Sequence, residues 1–402
     1  MAAAPVCALE IGTSKVIALV GEMRADDGHV MITGMGEQPS SGVRKAEIIN
    51  FEHAAACVRA ALLAAEETSG VAIREVLLAV SGGHIQSVVN RGAVPVRDSD
   101  GEITLDDIDK VMEVARAVNL PPDREILHTI CQEFCIDDRQ RVVSPEGMAG
   151  AKLSLEMLVL HGVRGILRNT VRVVTSIPMD VTDVVFSGLC SALAVLTPEQ
   201  KKSGVVVIDF GAGTTEYLAY AGGVLAAAGA LGVGGDHVTN DVALGFNIPM
   251  SQAERCKCEW GSATREDSAA GARRVSLPPE VGFPGRSISQ KSLSTVINAR
   301  VDEILDAIKR RLEQPGLLQR VGSGIVMVGG GAHLRGIAEE TERVFGLPCT
   351  VGKPRWVSGL ATATEGPQYA ACSGLVQYGF GAAPGRKRAS PLGSWFKGLF
   401  GR

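Results

Sequence analysis

Apolar positions near the start of the chain fall in short blocks. Residues 6–22 read as a strand, a tight turn at Gly12-Thr13-Ser14 and a second strand ending at Gly21. A third strand is predicted over 29–36, an Ala-rich helix over 52–68, and a buried strand over the apolar run 75–81. The pattern then changes. Strands are predicted near 85–96, 126–136 and 152–161, with a helix from Thr104 to about Val118. Thr104 suits the helix N-cap and acids fill the first turn. Pro121-Pro122 breaks the chain after that helix. The segment from 84 to 163 therefore reads as a small α+β insertion.

A helix is predicted over 180–196, followed by a boundary at 197–204. From Val205 a second strand–turn–strand begins, Gly222-Gly223 suits a hairpin turn, and another strand runs to about Ala230. Helices are predicted near 236–245 and 252–260, with strands and loops over the polar stretch 263–290. Leu293, Ile297, Val301, Ile304, Ile308 and Leu312 line one face of a long helix that Pro315-Gly316 stops. Ile325–Val328 reads as a strand and Gly329-Gly330-Gly331 as a turn. A helix over 336–345 follows and ends at Gly346.

Composition narrows the class. The chain has 402 residues, enough for two or more domains. Only 4% of residues are aromatic and 48 are glycine, which fits many tight turns and close backbone approaches. The net charge of −4 offers no broad basic field, so nucleic acid is not an expected partner. Nine cysteines show no disulfide framework or zinc spacing and read as free thiols. No signal-peptide pattern and no apolar stretch of membrane-spanning length is found.

Two segments repeat one pattern. Ala8-Leu9-Glu10-Ile11-Gly12-Thr13-Ser14-Lys15 and Val207-Ile208-Asp209-Phe210-Gly211-Ala212-Gly213-Thr214-Thr215 each join an apolar strand, an acid, a glycine turn and small hydroxyl residues. Such a turn points N–H and O–H donors at a phosphate, and the acid can hold a hydrated Mg²⁺ beside it. A single hairpin of this kind is an ordinary turn. Two of them about 200 residues apart, with a third glycine cluster, predict two related lobes clamping one nucleotide. No P-loop motif is present, and Leu334 stands where a dinucleotide fingerprint needs its third glycine.

These three sites resemble the phosphate-one, phosphate-two and adenosine motifs of the actin, sugar-kinase and heat-shock-chaperone superfamily. Within it the chain resembles the FtsA family of bacterial cell-division proteins nearly end to end. Gly12-Thr-Ser-Lys-Val16, Leu127-His-Thr-Ile-Cys-Gln-Glu-Phe134, Gly211–Thr215, Gly234-Gly-Asp-His-Val-Thr-Asn-Asp241, Ala253-Glu-Arg-Cys-Lys257, Val328-Gly-Gly-Gly-Ala332 and Gly393-Ser-Trp-Phe-Lys-Gly-Leu-Phe400 carry the likeness.

The resemblance implies an α/β, actin-like two-lobed ATPase fold with an inserted α+β subdomain and a C-terminal amphipathic helix. Residues 1–83 and 164–198 would form the first lobe, and 84–163 the inserted interaction subdomain. Residues 199–245 and 318–380 would form the second lobe, with 246–317 its subdomain. Residues 381–390 would be a linker and 391–402 a membrane-targeting helix.

The resemblance also implies ATP and Mg²⁺ as cofactors. Gly12, Thr13, Ser14 and Lys15 would line one side of the phosphates; Gly211, Ala212, Gly213, Thr214 and Thr215 would line the other. Asp209 and Glu10 would face Mg²⁺, and Gly329, Gly330 and Gly331 the adenosine. Glu254 and Lys257, one helical turn apart, would reach the ribose and adenine edge; alternatively Ser251 and Glu254 form a capping box. Gly234, Gly235 and Asp236 open a helix whose free N–H groups suit an anion, or Asp236 is simply its N-cap. The implied partners are the tubulin-like FtsZ, held through the surface containing Arg286–Arg300, further copies of the chain in filaments, and later division proteins at the insertion. Glu10, Ala212 and Glu216 depart from the family's usual Asp, Gly and Asp. Binding should survive this, with at most slow hydrolysis, and no catalytic residue is assigned.

The tail adds a separate chemistry. Leu392, Trp395, Phe396, Leu399 and Phe400 fall on one helical face, and Lys397 is among five basic residues with no acid from Gly385 onward. This describes an interfacial helix for anionic lipid on the cytoplasmic face of the membrane. The alternative is a terminal helix docked on the protein's own core. A soluble sugar-kinase-like phosphotransferase and a pilus-assembly adaptor are the competing functions within the superfamily.

Overall fold

A computed structural model describes residues 4–24, 29–98, 100–264, 273–280 and 283–381. The tail from Leu392 to Phe400 lies outside the described residues. Among the described residues no helix is long and apolar enough to cross a membrane.

The first lobe is built on strands β1 (Val6–Ile11), β2 (Lys15–Met23) and β3 (Val30–Pro39), an antiparallel meander. A short hairpin, β4 (Val43–Arg44) and β5 (Glu47–Ile48), leads to helix α1 (Phe51–Ser69). Asn50 caps α1 by accepting from the His53 N–H, and Gly70 closes it in the left-handed region. Strand β6 (Glu75–Val80) then pairs parallel to β1.

The insertion follows. Strands β7 (Gln86–Pro95), β8 (Arg124–Ile136), β9 (Gln140–Val142) and β10 (Lys152–Val163) form a sheet in the order β7-β10-β8-β9. Helix α2 (Leu105–Arg116) covers one face through Val111 and Ala115, which pack with Leu153, Leu155 and Met157. Thr104 caps α2, as the sequence predicts, and forms a full capping box with Asp107.

The chain returns through helix α3 (Arg164–Thr175) and strand β11 (Asp180–Phe186) to helix α4 (Ser187–Val195). This corrects the helix expected over 180–196. Its first half is a strand that pairs parallel to β6 at the sheet edge, and only its second half is helical. Helix α3 has no counterpart in the sequence reading.

After helix α5 (Pro198–Ser203) the second lobe repeats the first. Strands β12 (Val205–Phe210), β13 (Thr215–Ala221) and β14 (Val224–Leu231) form another antiparallel meander. Helices α6 (Gly235–Phe246) and α7 (Met250–Trp260) follow, then the hairpin β15 (Arg274–Leu277) and β16 (Arg286–Ser289). Helix α8 (Gln290–Glu313) precedes β17 (Ile325–Val328), helix α9 (Ile337–Phe345) and β18 (Cys349–Val351). Strand β19 (Val357–Gly359) and helices α10 (Ala361–Glu365) and α11 (Ala370–Gly379) return to the first lobe.

The two sheets share a strand order. The first reads β11-β6-β1-β2-β3-β19 and the second β18-β17-β12-β13-β14. In each, a three-stranded meander is extended by two parallel strands beyond its first member. The repeat seen in the sequence is thus a repeat of topology, and it places the β1–β2 and β12–β13 turns at equivalent ends of the two sheets. One face of each sheet feeds a continuous core in which Leu9, Val16 and Leu78 pack with Val205, Val207 and Leu218.

Candidate functional site

The two glycine turns have the same backbone. Gly12 N–H donates to Lys15 O and Gly211 N–H donates to Thr214 O, each across 3.0 Å. They also meet. A Cβ on Gly213 would strike the Thr13 hydroxyl and would lie 2.8 Å from Lys45 Cα, so this glycine is required by close approach. Thr214 Oγ1 lies 3.1 Å from Ser81 Oγ on the first lobe, and Thr215 Oγ1 donates to Val233 O. Ala212 is not among the left-handed residues, so an alanine there carries no backbone strain.

Beneath the turns lie three carboxylates, the half-buried Glu10 on β1 and Asp209 on β12 and the buried Glu216 on β13. Burial, then the charge of Asp209, pushes the Glu10 carboxyl up to about 8, partly offset by Lys15. Burial likewise raises Asp209 and Glu216 above the usual carboxylate range. Two serines one turn apart on α4 hold the second-lobe pair. Ser187 Oγ lies 2.6 and 2.7 Å from the two Glu216 oxygens, and Ser191 donates to Asp209 Oδ2 at 2.5 Å. Glu10 Oε2 is buried without a hydrogen-bond partner.

That orphaned oxygen beside Asp209 bears on Mg²⁺. The ion takes oxygen ligands, keeps several waters and relies on phosphate oxygens for the rest. A pair of carboxylates with one free oxygen fits that mode. Among the described residues no group of three or more protein ligands could hold a metal by itself. The sequence reading missed Ser81, Ser187 and Ser191. Ser187 and Ser191 leave a legible signal, two polar residues at i and i+4 in an otherwise apolar helix.

Lys15 is engaged elsewhere. Its ammonium pairs with Glu37 at 3.2 Å and lies 4.8 Å from the centre of the Tyr369 ring. The helix opened by Gly234, Gly235 and Asp236 also differs from expectation. Gly234 is the N-cap, and Gly235 and Asp236 donate their N–H groups to Gly211 O and Ala212 O at 3.0 and 2.8 Å. Gly234 N–H donates to His237 Nδ1. The first turn of α6 therefore buttresses the second glycine turn, and its leading N–H groups are not free for an anion.

The capping box at Ser251 and Glu254 does not form. Helix α7 starts at Met250 behind Pro249, without a side-chain cap. Glu254 instead pairs with Lys257 at 2.7 Å, and Lys257 also donates to Thr239 Oγ1 and Gly235 O. This cluster stands beside the start of α6. Gly329 and Gly331 cover the end of β12, where added Cβ atoms would lie 2.7 Å from Phe210 O and 2.6 Å from its ring. A Cβ on Gly330 would meet nothing within 4 Å, so the cluster is open only there.

The chain is similar to known proteins along most of its length. A model described as cell division protein FtsA matches residues 206–374, and one described as the SHS2 domain inserted in FTSA matches 82–161. The chain is 33% identical to the cell division protein FtsA of Pseudomonas aeruginosa over 92% of its own length and 88% of that protein's. It is 34% identical to the FtsA of Escherichia coli K12 over 98% and 96%. The chain belongs to the FtsA family of cell division proteins.

Solved structures agree on the fold. A PilM-PilN type IV pilus biogenesis complex matches with a TM-score of 0.66 at 16% identity, covering 93% of this chain and 98% of that one. MreB5 of Spiroplasma citri bound to ADP matches with a TM-score of 0.54 at 16% identity over 92% and 94%. A MamK double helical filament matches at 0.50 and 12% identity over 93% and 98%. The fold is actin-like, with the SHS2 insertion of the FtsA family.

Proposed function

We propose that this FtsA-family chain binds ATP with Mg²⁺ between its two glycine turns and tethers FtsZ to the cytoplasmic face of the membrane at the division site. The observation that carries the nucleotide reading is the convergence of Thr13 and Gly213 from two lobes above Glu10 and Asp209. Thr13, Ser14, Thr214 and the turn amides would face phosphate oxygens, and Asp209 and Glu10 would hold the hydrated ion. The adenosine would lie over Gly330, with Glu254 and Lys257 at its edge. The similar MreB5 was solved with ADP, which supports a nucleotide in this fold.

Membrane attachment rests on the tail. Five large apolar side chains give a gross gain on the order of 10 kcal/mol on burial in lipid, much of it offset by ordering the helix. One tail is then a reversible anchor, and many tails on one polymer bind firmly by avidity. The similar MamK forms a filament, which supports head-to-tail assembly of this chain. FtsZ would be held on the subdomain containing Arg286–Arg300, where Arg286 donates to Phe246 O and Arg300 forms a two-pronged pair with Asp241. The inserted domain would receive later division proteins. Hydrolysis would be slow at most, because Glu10 and Glu216 each carry one methylene more than the family's usual Asp.

Co-sedimentation with anionic liposomes and ATP tests the tether. The full chain should pellet with lipid, and a truncation after Ala383 or the Trp395→Glu variant should stay in solution. Equal pelleting of all three would remove the tail as anchor.

A further inference from the structure

The β4–β5 hairpin turns through Lys45 and Ala46, and both are left-handed, with φ of 53° and 61°. Two-residue turns of this hand favour Asn-Gly or Asp-Gly. The Cβ of lysine or alanine strains the backbone there, and the surroundings must offset that strain. Two contacts do so. Ala46 N–H donates to Thr13 Oγ1 at 2.9 Å, fixing the tip to the first glycine turn. On the opposite side, the Lys45 backbone sits so close to Gly213 that an added Cβ would lie 2.9 Å from Lys45 N.

The Lys45 side chain runs toward the link between β14 and α6. Its Cδ lies 3.9 Å from where a Cβ on Gly232 would be. Its charge also reaches His237 in the first turn of α6, whose pKa burial lowers first and Lys45 and Arg300 lower further. Lys45 is exposed, and no carboxylate among the described residues pairs with its ammonium. Lys15, by contrast, is taken by Glu37. Lys45 is therefore an unpaired cation where the two turns meet. It touches Gly213, not the glycine cluster at 329–331.

We propose that Lys45 is a ligand for the terminal phosphate of a nucleoside triphosphate, so that the hairpin distinguishes triphosphate from diphosphate. This rests on the nucleotide reading above. The Lys45 backbone meets the second glycine turn at Gly213 and its side chain reaches Gly232, so its ammonium would meet the phosphate chain held between the two turns. A triphosphate carries more negative charge than one Mg²⁺ offsets, and Lys45 supplies further positive charge as a charge-assisted donor.

Binding of Mg-ATP and Mg-ADP to the full chain, with thermal denaturation in parallel, tests this on Lys45→Gly and Lys45→Arg. Glycine removes the ammonium and relieves the left-handed strain, so the melting temperature should hold or rise. ATP affinity of Lys45→Gly should fall about tenfold or more, with ADP affinity changed less than about twofold, as expected for one lost charge-assisted bond. Lys45→Arg should keep most of the preference for ATP. Unchanged ATP affinity in Lys45→Gly, or equal losses for both nucleotides, would overturn the assignment. If the unaltered chain binds neither nucleotide, the site reading itself fails and this one falls with it.

Discussion

Ser187 and Glu216 meet across the two lobes, one hydroxyl lying 2.6 and 2.7 Å from the two oxygens of one buried carboxylate. Ser191, one turn further along α4, serves Asp209 in the same way. Helix α4 begins directly after β11, an edge strand of the first sheet, and packs against β12 and β13 of the second. It therefore supplies one hydroxyl to each of the two second-lobe acids. Ser187→Ala would leave Glu216 short of its partner. We expect a loss of about 1–3 kcal/mol in unfolding free energy, measured by urea denaturation, and a smaller loss for Ser187→Thr if the hydroxyl can be retained.

The buried acids also set a pH dependence. A carboxyl raised in the folded state keeps its proton there at pH values where the unfolded chain has lost it. Its stabilising contribution is full below the ordinary carboxylate range and is lost as pH rises through the folded value. For Glu10 that window runs from 4.5 to about 8. Without nucleotide, stability should fall through this range, by up to about 1.4 kcal/mol per pH unit for the group. Glu10→Gln should flatten the profile. A Glu10→Gln profile parallel to that of the unaltered chain would show that Glu10 ionises normally.

The glycine cluster separates packing from binding. Gly331→Ala forces a methyl against the Phe210 ring and should destabilise by about 1–3 kcal/mol. Gly330→Ala places its methyl in open space, so the melting temperature should hold while ATP affinity falls. Equal ATP affinity in Gly330→Ala and the unaltered chain would place the adenosine elsewhere.

Much of this organisation is legible in the sequence where local signals are strong. Asn50 and Thr104 cap their helices with side-chain bonds, Gly346 closes α9 in the left-handed region, and the two glycine turns stand out as a repeat. The elements misread or missed lack such marks. Helix α3 starts behind Val163 and α4 behind Phe186, neither with a side-chain cap. Strand β11 therefore runs into α4 with no polar break, and its apolar end reads as the start of the helix. In the site, the turns and acids are visible as motifs. Ser81 and Lys45 reach the cleft only through pairing between distant segments, which no local pattern encodes.

One nucleotide is proposed to lie between the two glycine turns. Isothermal titration of the purified full chain with ATP, with and without Mg²⁺, tests it most directly. We expect one site per chain, tighter with Mg²⁺, and loss of the Mg²⁺ effect in Asp209→Asn. Absence of ATP binding, or binding that Mg²⁺ and Asp209→Asn leave unchanged, would contradict it.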